Sequence, residues 1–93
     1  VNGKHEIHFA LKNAVEALST TTGSDYERLA RALSEVHVLK ASDFDDPAEK
    51  TMIGIIKRAE ARVGLGDKQS VDVRSVMMNI WHLYERRAPK LSS

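Results

Sequence analysis

The sequence predicts an all-α domain, either a small four-helix bundle or a compact orthogonal four-helix arrangement. Three observations carry this. Four segments repeat apolar residues at the three- and four-residue steps of a helix. No segment shows sustained strand-like alternation bounded by turns. Gly, Ser, Asp and Pro fall between the periodic segments, where helices start and stop. Periodicity does not fix the crossing angles, so both arrangements remain open.

The first helix is expected over residues 4–20. Ile7, Ala10, Leu11, Ala14, Val15 and Leu18 line one face. The stretch "STTTG" weakens and then ends it, because β-branched Thr and Gly23 disfavour continuation. The second helix, residues 24–39, opens with "SDYE": Ser24 is an N-cap and Glu27, three residues on, completes a capping box. Tyr26, Leu29, Ala30, Leu33, Val36 and His37 form its stripe, and Val38 and Leu39 fall off it.

The third helix, residues 47–63, begins in the densest acidic cluster of the chain, "DFDDP". Asp46 precedes Pro47 and stands three residues before Glu49, the pattern of an N-cap, a proline at the first helical position and a capping-box acid. The expected stripe is Ala48, Met52, Ile55, Ile56, Ala59 and Val63. "GLG" then stops the helix, with Gly64 at the left-handed position and Leu65 folded back on the last turn. The fourth helix, residues 70–87, takes Ser70 as cap and Val73, Val76, Met77, Ile80, Trp81 and Tyr84 as stripe. Arg86, Arg87 and Lys90 suit the negative end of its dipole, and Pro89 ends it.

A chain of 93 residues makes one domain, residues 1–93, with a thin core. It has no cysteine, which removes disulfides and thiolate chemistry and fits a cytoplasmic setting. No run of apolar residues is long enough for a membrane span, and no basic-then-apolar leader is visible. The net charge of +1 argues against a dedicated nucleic-acid binder. The halves differ, however. Residues 1–46 hold five Lys/Arg against eight Asp/Glu, a net −3, and residues 47–93 hold nine against five, a net +4. Either complementary helix pairs attract within the fold, or a dipolar surface orients an acidic or self-complementary partner.

Catalytic signatures are sparse. "DFDDP" fails the calcium-loop pattern, because the fifth and sixth positions from Asp43 are Pro47 and Ala48 and the twelfth is Gly54. "GLGDKQS" lacks phosphate-loop spacing, and no nucleophile motif joins the serines and histidines. His5 and His8 could share a helix face as metal ligands, although a solvated pair is the plainer reading. His37 reads as a core or boundary histidine, or as a pH-sensitive element. His82 reads as exposed. The expectation is a protein with no catalysis, no metal and no cofactor.

Residues that break the pattern mark candidate contact surfaces. Phe9 points about 200° round the helix from Ile7, toward His5, Lys12 and Glu16. Such a Phe needs a cover, either an N-terminal tail or another protein. Met78 lies on the side of Arg74, His82 and Glu85, and Met suits adaptable surfaces. Gly54 interrupts a helix on the face of Lys50 and Lys57, where a small residue permits close approach while lysines hold acids. Arg86 and Arg87 follow Trp81 and Tyr84, an aromatic-then-basic tail. The leading reading is a small protein–protein interaction or assembly module with a protein partner, homo-oligomer included. Helical nucleic-acid binding is the second choice. A helix-turn-helix would need a turn of 3–4 residues, and both the 37–47 link and the 64–69 link are longer.

"FDDPAEKTMIGIIKRAEARVG" and "MMNIWHLYERRAP" together resemble the helix, acidic loop and late "YxxR"-ended helix of small phage head–tail connector proteins. The resemblance covers about half the chain, and the first helix departs from it. It implies ring assembly between capsid and tail proteins.

Overall fold

A computed structural model describes residues 3–87. Four α-helices form the domain: α1 (Lys4–Thr20), α2 (Asp25–Glu35), α3 (Pro47–Gly64) and α4 (Val73–Arg87). Short 3-10 turns at Ala41–Asp43 and Lys68–Ser70 join the later helices. No strand occurs among the described residues. The all-α four-helix architecture is the one expected. Pro89 and Lys90, expected at the end of the last helix, lie outside the described residues.

Local chemistry explains most helix ends. Ser19 and Thr20 donate their hydroxyls to the carbonyls four residues back, and the backbone turns extended at Thr21. Gly23 then takes φ +115°, a conformation that a side chain would strain. The Ser24 capping box forms in both directions: Ser24 Oγ accepts from the Glu27 amide at 3.2 Å, and Glu27 Oε1 accepts from the Ser24 amide at 3.4 Å. Asp46 caps α3 by accepting from the Ala48 amide at 2.7 Å and the Glu49 amide at 3.4 Å, with Pro47 at the first helical position.

Four ends differ from expectation, the first being that of α2, which stops at Glu35 instead of reaching residue 39. Glu49 does not complete a capping box on Asp46; its carboxylate turns to α4. The left-handed residue after α3 is Gly66 (φ +74°), not Gly64. There the Gly66 amide donates to Val63 O and the Asp67 amide to Arg62 O, both at 3.0 Å, a Schellman closure. Leu65 consequently stays outside at 84% exposure instead of folding back. The cap of α4 is Asp72, whose Oδ1 accepts from the Ser75 amide at 3.2 Å, and Ser70 belongs to the preceding 3-10 turn.

The core joins all four helices. α1 packs most extensively on α2, α3 on α4, and α1 also on α4. Ala10, Ala14 and Ala17 on α1 and Ala32 on α2 are buried, and such short side chains let helices approach closely. Leu11, Leu29, Leu33, Ile56 and Ile80 lie at the centre. Each large side chain so buried contributes about 1.5–3 kcal/mol.

The buried faces of α3 and α4 are rotated from those expected. Ile53 and Leu83 are fully buried, whereas Ala48 and Trp81 are exposed and Ile55 is half-buried. His37 lies outside the core, its side chain 77% exposed, because α2 ends at Glu35 and the chain turns before it. That turn sends Leu39 inward, and the next one buries Phe44 completely. Both residues lie outside the helices, so no helical stripe includes them.

Candidate functional site

α1 and the end of α2 leave a groove of about 470 Å³ between them. Phe9 and Ala10 form its apolar wall on α1, and Val38 closes it from the turn after α2. Phe9 is 62% exposed and Val38 56%. The helix geometry dictates this placement: Ile7 and Leu11 take the core side of α1, which leaves position 9 outside.

The rim is acidic. Glu6 and Glu35 line the groove, and no lysine or arginine does so among the described lining residues. The groove runs on past Asn13 and Glu35 into a more polar crevice that adds Glu16 and Arg31. None of Glu6, Glu16 and Glu35 is ion-paired among the described residues.

A second apolar feature stands on α4. Met78 is 52% exposed and Trp81 45% exposed, one helical turn apart. Trp81 leans on Tyr84 with ring centroids 6.0 Å apart, and Tyr84 stacks on His8 of α1 at 5.7 Å. These contacts restrict the Trp81 ring while leaving its outer face open. Arg74 and His82 flank Met78. A neighbouring hollow, which shares Asp72 and Ser75 with that surface, adds Arg58 and Arg62 from α3. Arg58, Arg62 and Arg74 are not ion-paired among the described residues.

The other sequence-derived candidates lie elsewhere, and the four cationic ones among them are occupied internally. Arg86 reaches Asp46 at 3.0 Å and Glu49 at 3.3 Å. Arg87 reaches Glu49 at 2.9 Å and lies 5.0 Å over the Phe44 ring. Lys57 bridges Glu60 at 2.7 Å and the His37 carbonyl at 3.0 Å, and His37 Nδ1 meets the same Glu60 at 2.7 Å. Lys50 donates to the Ala41 carbonyl at 3.2 Å. Gly54 faces open space, with nothing within 4 Å of where a Cβ would stand. The seven candidates therefore do not form one surface: Phe9 belongs to the α1–α2 groove, Met78 to the α4 ridge, and the cationic residues pin loop and helix ends.

Two carboxyls in these internal clusters sit below the usual carboxylate range. For Asp46 the main cause is the hydrogen bond from the Ala48 amide, which with the Glu49 amide and the Arg86 guanidinium outweighs desolvation. For Glu60 partial burial pushes upward, but hydrogen bonds and charge from Lys57 and His37 together prevail.

His5 and His8 do not converge. His5 lines the Phe9 groove, and His8 stacks on Tyr84. No cluster of three or more His, Cys, Asp or Glu side chains suited to a metal occurs among the described residues, and no described helix is long and apolar enough to cross a membrane.

The groove contains residues that sequence reasoning missed. Val38 falls off the α2 stripe, and an apolar residue off a stripe is the same signal that singles out Phe9. Glu6 and Glu35 give no signal, being ordinary solvated acids by their spacing. In comparisons with known proteins, the chain matches no family model, no curated protein and no solved structure.

Proposed function

We propose that the domain is a non-enzymatic protein–protein interaction module that engages its partner through the Phe9 groove. One observation carries this: an aromatic ring 62% exposed on the wall of an apolar groove, on a domain too small to waste core material. A groove between two helices that has an apolar floor and a charged rim is a common way to receive a partner's helix or loop. The acidic rim favours a partner surface that is apolar at its centre and basic at its edge.

Nucleic-acid binding receives less support. Arg86, Arg87 and Lys57 are paired with Asp46, Glu49 and Glu60, which leaves Arg58, Arg62 and Arg74 as the basic group of α3 and α4, and the exposed apolar groove is rimmed by carboxylates that repel phosphate. The connector-like assembly reading gains nothing from the comparisons, and it shares with the leading reading only the need for a protein-contact surface.

The test is site-specific photo-crosslinking in cells that naturally express the chain. A photoreactive phenylalanine at position 9 is compared with the same probe at Ser19, exposed on α1. The expected result is one discrete adduct from position 9, identified by mass spectrometry, and none from position 19. No adduct from position 9, or the same products from both positions, overturns the proposal.

A further inference from the structure

We infer that the occupant of the Phe9 groove is a second copy of this chain, seated through its Met78–Trp81 ridge. This rests on the groove reading above and names its partner. The two surfaces match in chemistry. The groove offers an exposed aromatic wall rimmed by Glu6 and Glu35, and the crevice beyond it adds Glu16 and one cation, Arg31. The ridge offers Met78 and Trp81 as anchors with Arg74 beside Met78, and Arg58 and Arg62 line the neighbouring hollow beyond Asp72 and Ser75.

The energetics favour these anchors. Trp and Arg are the residue types that dominate binding free energy at interfaces. Trp81 has a ring neighbour in Tyr84, with centroids 6.0 Å apart, which limits part of the side-chain freedom that docking would remove. The opposing charges draw on part of the imbalance between the halves of the chain: Glu6, Glu16 and Glu35 belong to the acidic half and Arg58, Arg62 and Arg74 to the basic half, while Asp46 and Arg86 pair within the fold. Two carboxylates stand on the ridge side. Asp72 is engaged in capping α4 through the Ser75 amide, and Glu85 lies one turn beyond Trp81, at the end away from Arg74.

Groove and ridge are different patches on one chain, so the contact is head-to-tail rather than self-paired. Each copy then keeps one free groove or one free ridge, and association continues unless the rotation closes it.

Sedimentation velocity on the full chain tests this, with Phe9→Glu as the groove variant and Trp81→Glu or Met78→Glu as ridge variants. Circular dichroism checks that each variant is helical; two ridge variants are used in case loss of the Trp81–Tyr84 contact perturbs α4. The wild type is expected to self-associate, with a dissociation constant raised about tenfold or more between low and high salt. Each variant alone is expected to be monomeric. A 1:1 mixture of groove and ridge variants is expected to give a dimer and nothing larger, through the one intact groove and the one intact ridge. Wild type monomeric at about 1 mM overturns the inference, as does a mixture that stays monomeric or a ridge variant that associates like wild type. If the wild type is monomeric while position 9 crosslinks to a different protein, the self-docking inference fails and the groove reading stands. If position 9 crosslinks to nothing, both fail.

Discussion

Glu49 of α3 and Arg87 of α4 meet at 2.9 Å across 38 residues of sequence, with the Glu49 side chain only 9% exposed. Arg86 approaches the other carboxylate oxygen at 3.3 Å and also holds Asp46. The acids stand at the positive end of the α3 dipole and the arginines at the negative end of the α4 dipole, so each group suits its own helix before it meets the other. The cluster fastens the end of α4 to the start of α3 and accounts for Asp46 in the acidic run that opens α3, whereas Asp43 accepts from the Lys40 amide.

Replacing Glu49 leaves two guanidiniums facing a half-closed site. Glu49→Gln is expected to cost about 2 kcal/mol, between the values for exposed and buried ion pairs, because Arg86 and Arg87 retain partial solvent access. That corresponds to a fall in Tm of roughly 10 °C for a domain of this size. Asp25→Asn, which removes an exposed pair with Arg28 and an acid in the first turn of α2, is expected to cost no more than about 1 kcal/mol. Thermal unfolding of the two variants side by side checks the contrast.

The two phenylalanines are expected to behave oppositely. Phe44 is fully buried, and Phe44→Ala is expected to cost about 3–5 kcal/mol, a large share of the stability of so small a domain. Phe9→Ala removes an exposed ring and is expected to change stability by no more than about 0.5 kcal/mol. Urea titration followed by circular dichroism measures both.

Acid sensitivity follows from Asp46 and Glu60. Both carboxyls are lowered in the folded state, so the unfolded chain takes up their protons first as pH falls. Their stabilising contribution is therefore complete above the unfolded carboxylate range of about 4 and is lost as pH drops through and below it. The double variant Asp46→Asn, Glu60→Gln is expected to be less stable than wild type at pH 7 and to show a shallower loss between about pH 5 and pH 3. Equal slopes for wild type and variant would contradict this.

Gly54→Ala separates folding from contact. A Cβ there meets nothing within 4 Å, and φ is not positive, so the substitution is expected to stabilise α3 by about 0.4–1 kcal/mol. If this face of α3 carries no contact, self-association is expected to be unaltered. Chemical denaturation and sedimentation of the same sample provide both readings.

Two helix starts and the α1 stripe are the legible part of the fold. Ser24, Glu27, Asp46 and Pro47 mark two helix starts, because those hydrogen bonds are local in sequence. The stripe of α1 is legible for the same reason. Leu39 and Phe44 are not legible: they enter the core from irregular backbone, where no period marks direction. The rotation of α3 and α4 is equally hidden, since Ile53 and Ile55 or Leu83 and Trp81 are rival apolar choices that only tertiary packing decides. Phe9 and Met78 are visible as misfits to their stripes. What surrounds them is not, because Val38, Glu35 and Arg58 come to these surfaces from other elements.

Trp81 is the only tryptophan in the chain, so its emission reports directly on whether the ridge is covered. A dilution series of intrinsic fluorescence on wild type and Phe9→Glu tests the central claim. The expected result is blue-shifted emission in concentrated wild type that moves to the red on dilution, with Phe9→Glu red-shifted at every concentration. Emission that is independent of concentration in both proteins, or a shift that survives Phe9→Glu, would contradict the account.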